Sequence, residues 1–301
     1  MSDVRTVSAN GLEIAYESFG EPTNPPVLLI MGLGTQMIAW PAEFCQRLAD
    51  RGHRVVRFDN RDVGLSTHLD SAGEVNPLWP LLGVHEPPYR LTDMAKDAAG
   101  LITALGWESA HVVGVSMGGM IAQTLTLLRP DLVRSLTSIS STTGSLLVGK
   151  PRPDVLAKLV TGRIATDREG AIANNLAIYR KIRSPGFPDD LHRAGELAGI
   201  SYDRRYDPVG GRRQFAAILA SPNRTTALRR VAVPTTVIHG TADPLVNLSG
   251  GLATAAAIPG SRLVTIAGMG HDLPFPIWDQ LIEEIDSTIE RAREQGVQQS
   301  I

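Results

Sequence analysis

Hydrophobic positions in this 301-residue chain recur in two rhythms that alternate along its length. Residues 4–19 alternate polar and apolar about Asn10-Gly11, a strong two-residue hairpin signal, and predict two antiparallel strands. Val27-Leu28-Leu29-Ile30 is an unbroken apolar run, as expected of a strand buried on both faces. Further strands are predicted at Arg54 to Phe58, over Val112 to Val115, near 132–140, at 234–239 and at 262–266. Between them the pattern predicts helices around Pro41 to Arg51 and over 91–105, 117–129, 247–258 and 275–294. Strands alternating with helices imply an α/β chain built on a mainly parallel sheet covered on both faces.

Two stretches depart from that rhythm. Residues 67–90 are rich in Pro and Gly and predict a long excursion containing Leu78, Trp79, Leu81 and Leu82. From about 144 to 230 the strand-like runs stop, and helical patterns punctuated by prolines take over. This segment is expected to be an insertion between two sheet strands, standing above their carboxyl ends because both its own ends emerge there. No internal repeat is visible, and the tail from Glu294 to Ile301 is expected to fray.

Chemistry enters at His111 to Ile121, where a β-branched run meets Gly114-Val115-Ser116-Met117-Gly118 and then a helix. A turn of this kind holds its serine in a strained conformation with the hydroxyl above the sheet. The helix N-terminus aims free N–H groups, first that of Met117, at an oxyanion formed beside it. A nucleophilic serine needs a base, and the base needs an orienting acid. Two candidates follow late strands: Asp243 in His239-Gly240-Thr241-Ala242-Asp243 and His271 in Gly268-Met269-Gly270-His271. The remaining histidines fit the role less well. His239 reads as a strand-end residue near Asp243, and His111 lies at the opposite end of the sheet. His53, His68, His85 and His192 lack the Gly-His strand end. Asp59 and Asp62 also follow a strand and are the alternative acids. The Asp59-to-Ser66 turn reads as structural, with Arg61 bonded to nearby backbone.

With Met31-Gly32-Leu33-Gly34, Asp59 to Ser66, Tyr89 to Met94, Gly114 to Gly118, His239 to Asp243 and Gly270-His271, the sequence resembles the α/β-hydrolase superfamily of serine esterases and lipases. It is similar in particular to the actinobacterial-type lipase/esterases and, more loosely, to the anthracycline methylesterases. The resemblance covers nearly the whole chain. It implies an α/β-hydrolase fold, a mostly parallel eight-stranded sheet flanked by helices, with residues 1–143 and 231–301 as core and 144–230 as a helical cap. It also implies roles: Ser116 as nucleophile, His271 as general base and then acid, Asp243 as orienting carboxylate. The backbone N–H groups of Leu33 and Met117 would form the oxyanion hole, and Gly32, Trp79 and Met120 would contact substrate. Met31 stands where many relatives carry His. The donor is a backbone group, so the hole is expected to persist while the packing beside it differs.

The implied reaction is hydrolysis, through an acyl-enzyme, of a small-molecule ester with a hydrophobic acyl or ring portion. Methyl ester, thioester and carbon–carbon bond hydrolysis and perhydrolysis share the triad and stay open. Serine rather than aspartate at 116 argues against epoxide hydrolase and haloalkane dehalogenase chemistry. A neutral histidine base implies activity that rises with pH across about 6–7, the ordinary histidine range. A non-enzymatic scaffold is the alternative of a different class.

Composition narrows the setting. The chain is 43% hydrophobic and 20% charged with net charge −2, enough apolar material for a large core and no basic excess. Nucleic acid and anionic membranes are therefore not expected partners. The lone Cys45 allows no internal disulfide, fits a reducing compartment and reads as a packed small hydrophobe. The first residues, MSDVRTVSANG, lack the apolar core of a signal peptide, and no apolar run is long enough to span a bilayer, so a cytoplasmic location is expected. Met120-Ile121 follows Gly119 where a P-loop needs Lys-Ser/Thr, and Met37 stands where a dinucleotide fingerprint needs its third glycine. No His, Cys or carboxylate cluster has zinc-ligand spacing, so neither metal nor cofactor is expected.

Overall fold

A computed structural model describes residues 3–79, 83–162 and 164–299; Leu81 and Leu82 lie outside the described residues. Strands β1 (Arg5–Ala9) and β2 (Leu12–Phe19) form the expected hairpin, with Asn10 and Gly11 both at positive φ (52° and 76°). The other strands are β3 (Pro26–Ile30), β4 (Arg54–Phe58), β5 (Ala110–Val115), β6 (Val133–Ile139), β7 (Thr235–Gly240) and β8 (Arg262–Ile266). They make one eight-stranded sheet in the order β1-β2-β4-β3-β5-β6-β7-β8. Pairings from β4 to β8 are parallel, and β2 meets β4 antiparallel.

Side chains alternate across a strand, so an unbroken apolar strand feeds two cores. Val27 and Leu29 of β3, Val55 of β4 and Val113 and Val115 of β5 face one core. Leu28, Ile30, Val56, Phe58 and Val112 face the other. Helices α1 (Ala42–Ala49) and α10 (Trp278–Gln299) cover the first face; Leu281, Ile282, Ile285 and Ile289 place one stripe of α10 in it. Helices α2 (Leu91–Ala104) and α3 (Met117–Leu128) cover the second. Cys45 is buried in the α1 core, and burial pushes its thiol up to about 12, which makes it a poor nucleophile. The chain end differs from the expected fraying: α10 runs to Gln299, because its Glu, Arg and Gln residues are good helix formers and Gly296 alone does not end it.

Between β6 and β7 come α4 (Pro153–Thr161), α5 (Arg168–Ile182), α6 (Leu191–Arg204) and α7 (Pro208–Ala220). Only one end of this segment leaves the sheet at a strand's carboxyl end; a parallel partner must be re-entered from its amino end. The segment closes at Thr143, whose carbonyl accepts from Arg224 N–H (2.8 Å) and whose hydroxyl meets that of Thr225 (2.8 Å). From there the short α8 (Thr225–Leu228) and the following residues cross to β7, and Leu228, Val231 and Val233 pack with the sheet core. In packing terms the insertion thus ends at Arg224, before residue 230. After β7, α9 (Ser249–Ala257) leads to β8.

Candidate active site

Ser116 caps α3 with φ 57° and ψ −122°, a conformation rare for a residue with a side chain. Tight packing enforces it. A Cβ on Gly118 would collide with the carbonyl of Ile30, so only glycine lets α3 start this close to the end of β3. Ser116 N–H donates to the Ile139 carbonyl (2.9 Å), and the Ser141 hydroxyl donates to the Ser116 carbonyl (2.8 Å). The serine is therefore gripped by the exit of β6 as well as by its own turn.

His271 Nε2 lies 2.9 Å from Ser116 Oγ, and His271 Nδ1 lies 2.7 Å from Asp243 Oδ2. The other carboxylate oxygen of Asp243 accepts from the N–H groups of Leu245 and Val246, both at 2.9 Å. These bonds fix the orientation of a fully buried side chain. Nδ1 facing a carboxylate carries the proton, which leaves Nε2 free to accept from the serine hydroxyl. Beneath Asp243, His239 is buried and donates from Nε2 to the Val246 carbonyl (2.7 Å); burial holds its pKa below the ordinary value. It braces the Asp243 turn, its Nε2 3.6 Å from Asp243 Oδ2. His111 faces Ser135 at the amino end of the sheet, and burial lowers it to about 3.

Gly32 lies against the serine, where a Cβ would fall 3.2 Å from Ser116 Cβ. The N–H groups of Leu33 and Met117 have no hydrogen-bond partner among the described residues. Both belong to the segments that converge on Ser116. Met120 is buried in the α2–α3 core, with its N–H bonded to the Ser116 carbonyl (3.2 Å). The Trp79 ring packs on His85, 4.8 Å between centroids, within the 67–90 excursion.

The turn after β4 carries partners that the sequence did not disclose. Asp59 accepts from Met37 N–H (2.7 Å), Leu65 N–H (2.9 Å) and Arg204 of α6 (3.0 Å). Asp62 binds Arg213 of α7 through both oxygens (2.9 and 2.8 Å) and accepts from Tyr89 (2.7 Å). Arg61 pairs mainly with Asp97 (2.6 Å twice) and, among the described residues, its side chain reaches backbone only at Asp93 (3.3 Å). Both alternative acids are thus spent on the insertion. Donor atoms of Asp62, His68 and Asp207 come within 4.8 Å of one another. Arg213 already engages Asp62 and His68 pairs with Asp207 (2.5 Å), so the cluster is an ion-pair network.

A family model described as the alpha/beta hydrolase fold matches residues 25–276. The chain belongs to the α/β-hydrolase family. Among relatives in that family, rhodomycin D methylesterase DauP of Streptomyces sp. (strain C5) is 29% identical over 307 residues, covering 93% of this chain and 96% of its own. The 3-oxoadipate enol-lactonase 2 of Acinetobacter baylyi is 24% identical, covering 82% of each chain. The solved structure of esterase RhEst1 from Rhodococcus sp. ECU1013 matches with a TM-score of 0.72 at 23% identity, covering 96% of this chain and 99% of its own. At that identity the likeness speaks for the α/β-hydrolase fold alone. No helix among the described residues is long and apolar enough to cross a membrane.

Proposed function

We propose that this α/β-hydrolase is a serine-dependent carboxylic ester hydrolase. The observation that carries the reading is the run of contacts from Ser116 Oγ to His271 Nε2 (2.9 Å) and from His271 Nδ1 to Asp243 (2.7 Å) beside the free amides of Leu33 and Met117. In this reading His271 takes the hydroxyl proton as Ser116 attacks the ester carbonyl. The Leu33 and Met117 N–H groups hold the resulting oxyanion, which is worth about 3–4 kcal/mol per donor in related chemistry. His271 then protonates the departing alcohol, and a water that it deprotonates cleaves the acyl-enzyme. The insertion, residues 144–230 in sequence terms, would act as a cap whose apolar residues receive the acyl or ring portion. The lone buried Cys45 fits a reducing, cytoplasmic setting.

A second reading, cleavage of a methyl ester on a bulky ring acid, is favoured by the rhodomycin D methylesterases at 28–29% identity across 93% of the chain. Fluorophosphonate labelling tests the activated serine: wild type should label and Ser116→Ala should not. Turnover of p-nitrophenyl esters of rising chain length, beside a bulky methyl ester and a thioester, separates the substrate classes. An unlabelled wild-type protein without turnover on any of them would reject ester hydrolysis.

A further inference from the structure

The loop that carries His271 has two landlords. Its first part is tied to the β7 exit: Gly268 N–H donates to Thr241 Oγ1 (3.0 Å) and Ala242 N–H to the Met269 carbonyl (3.0 Å). From Gly270 onward it is tied to the insertion, at the exit of α5. His271 N–H donates to the Ile182 carbonyl (2.8 Å), and Gly270 N–H donates to Ser184 Oγ (2.8 Å). The Ser184 hydroxyl in turn donates to Asp272 Oδ1 (2.5 Å). One hydroxyl therefore accepts from the residue before the histidine and donates to the residue after it. Ser184 is 2% exposed, so water does not compete for either bond. Gly186 and Gly268 close the seam; a Cβ on either would fall 2.7 Å from the other's Cα, and Gly186 N–H donates to the Gly268 carbonyl (2.9 Å).

Resting on the serine hydrolase reading above, we propose that Ser184 is a positioning residue that sets the height and rotation of His271 over Ser116. Through it, the seating of the insertion controls whether the base is in register with the nucleophile. Asp243 and Ser116 hold the two ring nitrogens, while the backbone beneath the ring hangs from Ile182 and Ser184. Without the Ser184 hydroxyl, Gly270 N–H and the Asp272 carboxyl both lose a buried partner, and the loop relaxes toward one that can supply it.

The test compares wild type, Ser184→Ala, Ser184→Thr and Asp272→Ala, each confirmed as folded by circular dichroism. Ser184→Ala should lower kcat by about 10- to 100-fold with KM within about twofold, since displacing a reacting group by about 1 Å has effects of that size. Ser184→Thr keeps the hydroxyl and should retain most of kcat. Amide exchange in the peptide spanning 268–272 should speed up in Ser184→Ala and in Asp272→Ala. Exchange does not depend on catalysis, so it reads the tether even if the reaction assignment fails. Ser116→Ala with undiminished turnover would overturn the hydrolase reading while leaving the exchange result standing. Unchanged kcat and exchange in Ser184→Ala, or equal losses in the Ala and Thr variants, would overturn the role given to Ser184.

Discussion

Between the central strands and the helices of the insertion, the buried side chains change character. In β3 and β5 the interior is made of Val27 to Ile30 and Val112 to Val115, backed by Trp40, Phe44, Leu48 and Trp278. In α4 to α7 the buried apolar residues are small, Val155, Ala171, Ala198, Ala216 and Ala217, while Leu156 and Ile200 stand exposed. The insertion is seated instead by polar pairs. Arg213 grips Asp62, Arg204 grips Asp59, Gln214 bonds Gly34 N–H and the Arg61 carbonyl (2.7 Å each), and Gln36 bonds the carbonyls of Ser201 and Arg205 (2.8 and 2.9 Å). Apolar burial is strong and undirected, at about 25 cal/mol per Å². A bidentate pair adds little net stability but allows one register. The sheet therefore supplies stability, and the clasp supplies placement over the loop that carries Leu33.

The largest expected effect belongs to the sheet-borne residues. Ser116→Ala or His271→Ala should lower kcat by about 10⁴–10⁶ while leaving the fold intact, with Asp243→Asn somewhat milder. Near wild-type turnover in purified Ser116→Ala would show that the core does not carry the chemistry. Next comes the clasp. Arg213→Met leaves the Asp62 carboxylate buried without its cation and should cost about 3–5 kcal/mol in urea unfolding. Adding Asp62→Leu should recover part of that loss. A single-variant loss under about 1 kcal/mol would erase the distinction between apolar core and charged clasp.

The sheet, its flanking helices and the closeness of Ser116, His271 and Asp243 were legible because each has a local or periodic signature. Val27 to Ile30 is an unbroken β-branched and aliphatic run, and Gly114 and Gly118 stand where a Cβ would collide with neighbouring backbone. The clasp was not legible. Arg204, Arg213 and Gln214 read as ordinary polar helix residues, and their partners lie more than a hundred positions away in sequence. Ser184 carries no motif at all; only its burial between Gly270 and Asp272 gives it meaning. The crossover after Arg224 has no sequence signal of its own; it follows from topology, since the return to the amino end of a parallel strand packs with the core. Trp79, read as a candidate roof, has His85 as its ring partner, and two aromatic rings in a Pro-rich stretch give no signal of pairing.

Acid should separate the regions a third way, because His111 and His239 are buried in the sheet. Burial holds both below the ordinary histidine value of 6.5, His111 to about 3. As pH falls below 6.5 the unfolded chain takes up protons that the folded one refuses, so stability is present above that point and lost beneath it. For His111 the loss approaches about 1.4 kcal/mol per pH unit, and His239 adds a loss of the same sign. Urea midpoints from pH 7 to 4 should show that slope, and His111→Gln should flatten it. A slope unchanged by His111→Gln would mean that the strand histidine accepts its proton within the fold.

The smallest effect sharpens the comparison where the insertion would meet substrate. Phe215, Ile218 and Leu219 lie on α7 immediately after Gln214, which bonds Gly34 N–H in the loop that carries Leu33. All three are only half-buried, although Ile218 already packs on the core beneath. Apolar area left uncovered beside that loop is area that an acyl chain can cover. Each buried methylene is worth about 0.8 kcal/mol, or roughly fourfold in binding. Phe215→Ser should therefore raise KM for an octanoate ester several-fold more than for an acetate ester, with kcat on acetate nearly unchanged. Ile218→Ser should act differently, lowering stability because its side chain anchors the helix. Equal KM changes for both esters in Phe215→Ser would assign α7 to scaffolding alone.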